Sequence, residues 1–315
     1  MKGLGMAQRY LRYEITSTRD TPETVFINLA RDLSALNRQL FRQCRNYKIK
    51  SIRVIDGTPD GDVKFACAPH TWAMKNSLKR AYKRWNEMNA QVLKDHPQLK
   101  SKWHDFKPYL SQLHMEVYET GVGGDMGTPK DIQGFDLQYG EWAHSTFESP
   151  DATSSVDGYK VGILGQQSGS PGAINYVGLI NSYGNTRGTV SESPAANTAL
   201  ASDDPLLNLL DAGTAFDEIA ENIIDENDTA PYLVDAGTGF GPAYVGSQNM
   251  RAPQIFGEVA TNDNRVNPVF YNIDVPLGVI RVDHKILPGA TATTFKVLIE
   301  LAPGGYKGVH SEALV

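Results

Sequence analysis

The chain is 315 residues long, 41% apolar, 9% aromatic and 21% charged, which excludes collagenous, low-complexity and disordered polymers. Its net charge of −6 hides an imbalance: residues 1–116 hold 21 Lys and Arg against 11 Asp and Glu, residues 117–315 hold 9 against 25. No uncharged apolar run approaches the roughly 18–20 residues of a membrane-spanning helix, and Cys44 and Cys67 are too few for a disulfide framework or a thiolate zinc site.

The opening MKGLGMAQRYLRYEITST lacks the continuous apolar stretch of a secretory signal, so secretion is not expected. Arg12–Thr18 and Val25–Leu29 read as strands, separated by the turn residues around Pro22. Leu29, Leu33, Leu36 and Leu40 then recur at helical spacing and predict a helix over Leu29–Arg45. Arg31, Arg38, Arg42 and Arg45 fall opposite those leucines, giving the helix a guanidinium face. Tyr47–Asp56 alternates as a strand does, with a slip of phase near Ser51 that predicts a bulge. Val63–Ala68 is a further strand.

A second amphipathic helix is expected over Thr71–Leu93, with Thr71 as N-cap and a Lys75/Lys79/Lys83 ladder beside Arg80 and Arg84. Leu113–Glu119 reads as a strand. Beyond it, strand candidates sit between polar, glycine-rich loops: Phe135–Trp142, Tyr159–Leu164, Asn175–Tyr183, Ile255–Val259, Tyr271–Val275, Leu277–Val282 and Thr293–Leu301. One acidic helix is expected at Phe216–Asp225. This order lacks the alternation of parallel α/β folds. It predicts an all-β fold, a single jelly-roll sandwich with two inserted amphipathic helices and long loops. One domain is expected over 1–315, with 1–12 as a short N-terminal segment.

Catalytic patterns do not emerge. The seven histidines form no metal-ligand spacing, and the glycine-rich 121–127 and 237–242 match no phosphate-binding loop. No enzyme activity, cofactor or metal is expected. Asp203/Asp204, Glu218/Glu221 and Asp225/Glu226 are acid pairs of the kind that glycosidases use, and Trp142 is a spare aromatic platform. They keep a carbohydrate-binding or carbohydrate-active sandwich open as the alternative. Positive charge with aromatics nearby is the stronger signal. Arg9, Arg12, Arg31, Arg38, Arg42, Arg45, Lys48 and Lys50 are the candidate nucleic-acid contacts, because phosphate binding needs arrayed cations and no sequence readout. The plain alternative is that such faces meet only water.

The segment PHTWAMKNSLKRAYKRWNEMN, with KWHDFK after it, resembles capsid proteins of small circular single-stranded DNA (CRESS-DNA) viruses. RYEITST, NYKIKSIRVI and VFYNIDVPLGVIRVDHKI stand where such a capsid has core strands. The resemblance implies a homo-oligomer of sixty copies, an icosahedral shell, single-stranded DNA inside, no membrane and a place in the virion. Many such capsids begin with a long arginine-rich arm. Here residues 1–20 carry Lys2, Arg9, Arg12 and Arg19 against Glu14 and Asp20. Either such an arm is absent or was removed, or the packing role falls to folded surfaces such as the arginine helix.

Overall fold

Strands form where inward apolar residues alternate with outward polar ones. The computed structural model describes residues 7–55, 61–101, 105–149, 157–165, 168–170, 173–187, 254–260, 267–289 and 291–315. It opens with β1 (Tyr10–Ser17) and β2 (Glu23–Asn28), runs directly into α1 (Leu29–Asn37), then β3 (Arg45–Ile55) and β4 (Gly61–Cys67). The long helix α2 (Trp72–Asp95) precedes α3 (Gln112–Thr120) and the two-residue β5 (Asp125–Met126). Four strands follow, β6 (Thr146–Ser149), β7 (Asp157–Gly162), β8 (Ser168–Ser170) and β9 (Ala173–Gly178), then α4 (Leu179–Arg187). The last part holds β10 (Gln254–Ala260), β11 (Val269–Pro276), β12 (Val279–Ile286) and β13 (Thr293–Leu301). Short strands β14 (Pro303–Gly304), β15 (Gly308–Val309) and β16 (Ser311–Ala313) end it.

One sheet has the order β1–β13–β3–β11, with β16 also on β3; the other runs β10–β4–β12–β2–β5. Apart from the parallel contact of β5 with β2, the pairings in these sheets are antiparallel. The eight long strands, numbered first to eighth along the chain, pair first with eighth, second with seventh, third with sixth and fourth with fifth. That is one long hairpin, rolled so that successive pairs lie alternately in the two sheets.

The two sheets bury a common core, because alternate residues of each point inward. Leu11, Tyr13 and Phe295 from one sheet meet Ile27, Phe65 and Val282 from the other, and all are essentially inaccessible. The described residues between β4 and β10 build a third layer. A second apolar cluster joins Phe26 and Val279, on the outer face of the second sheet, to Met74 and Leu78 of α2 and to Val117 of α3. The β6–β7–β9–β8 sheet and α4 complete that layer against α2. The architecture is an antiparallel β-sandwich with helices outside it. Among the described residues no helix is long and apolar enough to cross a membrane.

Several expectations need correction. The first helix stops at Asn37, not Arg45, and Arg38 takes a left-handed conformation with φ 53°. Side chains supply the stop: Ser34 Oγ accepts from Phe41 N at 2.8 Å, and Asn37 Nδ2 donates to Leu33 O at 3.1 Å. Phe41 then turns into the core. Leu113–Glu119, expected as a strand, lies in helix α3; Ser111 caps its start and Gly121, at φ 69°, its end. Phe135–Trp142 forms no strand, and the strand expected at Asn175–Tyr183 gives way to α4 after Gly178. The acidic helix expected at Phe216–Asp225 lies outside the described residues, as do residues 188–202 and 237–242. The bulge does occur: Ser51 pairs with Glu300 and Ile49 with Leu301, leaving Lys50 as the extra residue.

Candidate nucleic-acid interface

The eight basic residues do not gather into one surface. Arg31 corrects the sequence reading most sharply, for it is 1% exposed. Its Nε donates to Asp32 Oδ1 at 2.7 Å, its Nη2 to Gly127 O, and its guanidinium lies 4.3 Å from the centre of the Tyr139 ring. Tyr13 donates its hydroxyl to the other Asp32 oxygen at 2.6 Å. Burial pushes the Asp32 carboxyl up, while Arg31 and the Tyr13 hydroxyl pull it down. A guanidinium so held cannot reach phosphate. Arg31 is structural.

Arg38 is exposed on its turn, and Arg42 is exposed 3.7 Å from the buried carboxylate of Asp105. Neither lies on a helix with Arg31, so the guanidinium face does not exist. Arg45 is spent on the C-terminal strand: it donates to Ser311 Oγ at 2.8 Å and Ser311 O at 2.7 Å, with its guanidinium 3.7 Å over Tyr306. Arg12, which lies inside β1, pairs with Glu14. Lys48 pairs with Asp274 at 2.9 Å and Lys50 with Glu300 at 2.8 Å. The Lys50 ammonium, with help from the Tyr10 and Ser51 hydroxyls, holds the Glu300 carboxyl below its usual range. Arg9 is half-buried ahead of β1, its carbonyl accepting from Leu301 N at 3.0 Å. On the outer face of the first sheet, carboxylates thus neutralise Arg12, Lys48 and Lys50.

Charge does accumulate on α2. Thr71 Oγ1 accepts from Met74 N at 3.2 Å and starts the helix, and Ala73, Met74, Leu78, Ala81 and Trp85 bury one side of it. That burial turns Lys79, Arg80, Lys83 and Arg84 to solvent, with Lys75 half-buried beside them. Arg84 pairs with Glu87 at 2.8 Å and Arg80 donates to Ser182 O at 3.3 Å. Lys79 and Lys83, one turn apart, pair with no carboxylate among the described residues. Beside Arg80 and Arg84 runs a groove of about 360 Å³, walled by Ser77, Glu87 and Met88 with those arginines on one side and by Phe147, Glu148 and Tyr159 on the other. Those two rings stack 5.7 Å apart, and burial raises the Tyr159 hydroxyl. Cations flanking an aromatic wall suit a single strand, whose phosphates take the charge while a base stacks.

The chain matches no protein-family model, no curated protein and no solved structure.

The lysine ladder was visible in the sequence from its spacing of four. Phe147 and Tyr159 were not, because only the packing of the β6–β7–β9–β8 sheet on α2 brings them across from Arg80 and Arg84. Trp142, the spare sugar platform of the sequence reading, is 5% exposed, its ring 4.7 Å from the Lys107 ammonium. The acid pairs at 203/204, 218/221 and 225/226 lie outside the described residues. Among those residues no three His, Cys, Asp or Glu side chains could hold a metal ion together.

Proposed function

We propose that this chain is a capsid protein of the CRESS-DNA type, a jelly-roll subunit that closes with identical copies into a small icosahedral shell around single-stranded DNA. The strand order carries the reading. First–eighth–third–sixth in one sheet and second–seventh–fourth–fifth in the other is the pattern of a rolled eight-stranded hairpin, with β5 and β16 as additions. Viral capsids, lectins and cupins use this scaffold, so a task must be argued from surfaces. The exposed cations of α2 favour a polyanionic cargo over a sugar, and the burial of Trp142 removes the platform on which the carbohydrate reading leaned. The acidic excess of residues 117–315 against the basic excess of 1–116 suits contacts between neighbouring copies. On this reading the subunit assembles inside the host cell and belongs to the virion.

The test is nuclease protection. The purified chain should carry single-stranded DNA that resists added nuclease and is freed only by dissociating the particles. Protein free of nucleic acid, or reproducible binding to a glycan array, would overturn the proposal.

A further inference from the structure

Two histidines meet where the third layer grips the sandwich. His114 of α3 is fully buried, stacked on Phe26 of β2 at 4.7 Å, and His144 is 7% exposed, stacked on Tyr109 at 3.9 Å. Their rings lie 5.5 Å apart, nearly perpendicular. His114 Nδ1 accepts from Leu110 N at 3.1 Å, which puts its proton on Nε2. His144 Nδ1 lies 3.0 Å from Lys107 O, a pure acceptor, so its proton is on Nδ1 and its Nε2 keeps a lone pair. Neither Nε2, nor Arg31 Nη1, has a hydrogen-bond partner among the described residues. A proton therefore has a vacant basic nitrogen to join, in a place where positive charge is unwelcome.

The surrounding groups make it so. Arg31 and Asp32 of α1 are paired, with Tyr13 of β1 bonded to Asp32. From α3 come Tyr118 and Glu119, the latter engaged by the Tyr109 hydroxyl at 2.5 Å and by Lys160 of β7 at 3.5 Å. Residues 105–111 bring Lys107, whose charge is influenced by Asp105 and Glu141, and residues 127–145 bring Tyr139 and Trp142. The charges of Arg31 on His114, and of His114, Lys107 and Lys160 on His144, oppose protonation, while the Lys107 carbonyl, bonded to His144, favours it. The carboxylates Asp32 and Glu119 are already committed.

We propose that His114 and His144 form an acid-operated latch: proton uptake by the pair releases α3 from the outer face of the second sheet while the sandwich stays folded. The latch does not depend on the capsid reading. Burial, reinforced by Arg31, holds His114 down to about 3, and burial, reinforced by His114, holds His144 well below its ordinary value. A released histidine titrates near 6.5. Both folded values lie below that, so the stabilisation is complete above about pH 6.5 and drains away as pH falls toward 3. At pH 5 protonation of His114 favours the open form by about 30-fold, and protonation of His144 pushes in the same direction.

Hydrogen exchange of the full chain, read by mass spectrometry at pH 7.5 and 5.0 and corrected for intrinsic rates, tests this. Amides of α3 should lose at least about 30-fold in protection while those of β13 stay unexchanged on the same timescale. In His114→Asn/His144→Asn the loss should vanish. Single variants should each show a smaller loss than the unaltered chain, and they serve if the double variant does not fold at pH 7.5. Equal protection of α3 at both values, exchange of α3 and β13 together, or an undiminished loss in the variants would overturn the latch.

Discussion

Arg31 separates two accounts of the same residue. If it were a DNA contact, its removal would cost nucleic acid and leave stability alone. Buried against Asp32 at 2.7 Å, it predicts the reverse. Arg31→Met removes the cation but keeps most of the volume, stranding a carboxylate that is fully inaccessible and retains the Tyr13 hydroxyl. It also leaves Gly127 O without its donor. Breaking one side of such a buried pair costs about 3–5 kcal/mol. At about 2 °C per kcal/mol for a chain of this size, Tm should fall by about 6–10 °C. Adding Asp32→Asn removes the stranded charge while still accepting from Tyr13, and should recover much of the loss. Differential scanning fluorimetry of both single variants and the double variant completes the cycle. An unchanged Tm with reduced DNA content in Arg31→Met would refute the argument.

The basic face of α2 makes a complementary prediction. Lys79→Glu, Arg80→Glu, Lys83→Glu and Arg84→Glu together should lower the nuclease-resistant DNA per particle by several fold with Tm nearly unchanged, measured by absorbance ratio and scanning fluorimetry; these side chains are exposed. Cys44 and Cys67 are buried and free, and burial pushes the Cys67 thiol up to about 12. Neither should react with Ellman's reagent at pH 8 until denaturant is added. The β11–β12 hairpin turns at Leu277 and Gly278, both at positive φ (63° and 65°). A methyl group on Gly278 would stand 2.9 Å from the Tyr47 ring. Gly278→Ala should therefore cost about 2 kcal/mol in chemical denaturation, from left-handed strain and from displacing that ring.

What the sequence disclosed follows from how local each signal is. Phe295, Val297 and Ile299 alternate with Lys296, Leu298 and Glu300 because only one face of β13 turns into the core between the sheets, and its predicted limits match the structure. The slipped phase near Ser51 marked the Lys50 bulge, since an extra residue moves every later side chain to the other face. Thr71 was readable as a cap from its place ahead of a periodic run. Residues 113–119 misled because Leu, Met, Val and Tyr in near alternation mimic a strand. The better signals were the flanking Ser111 and Gly121. Arg31 misled for a different reason. A helical wheel separates it from the leucines, but Gly127 and Tyr139, about a hundred residues on, cover the side it occupies. No local pattern carries that information.

Sedimentation velocity of the purified chain, run across a range of salt and protein concentration, bears most directly on whether this molecule builds a shell. A single boundary of uniform, closed particles, about sixty times the subunit mass, is the expected result. A species that remains one chain at every concentration would contradict it.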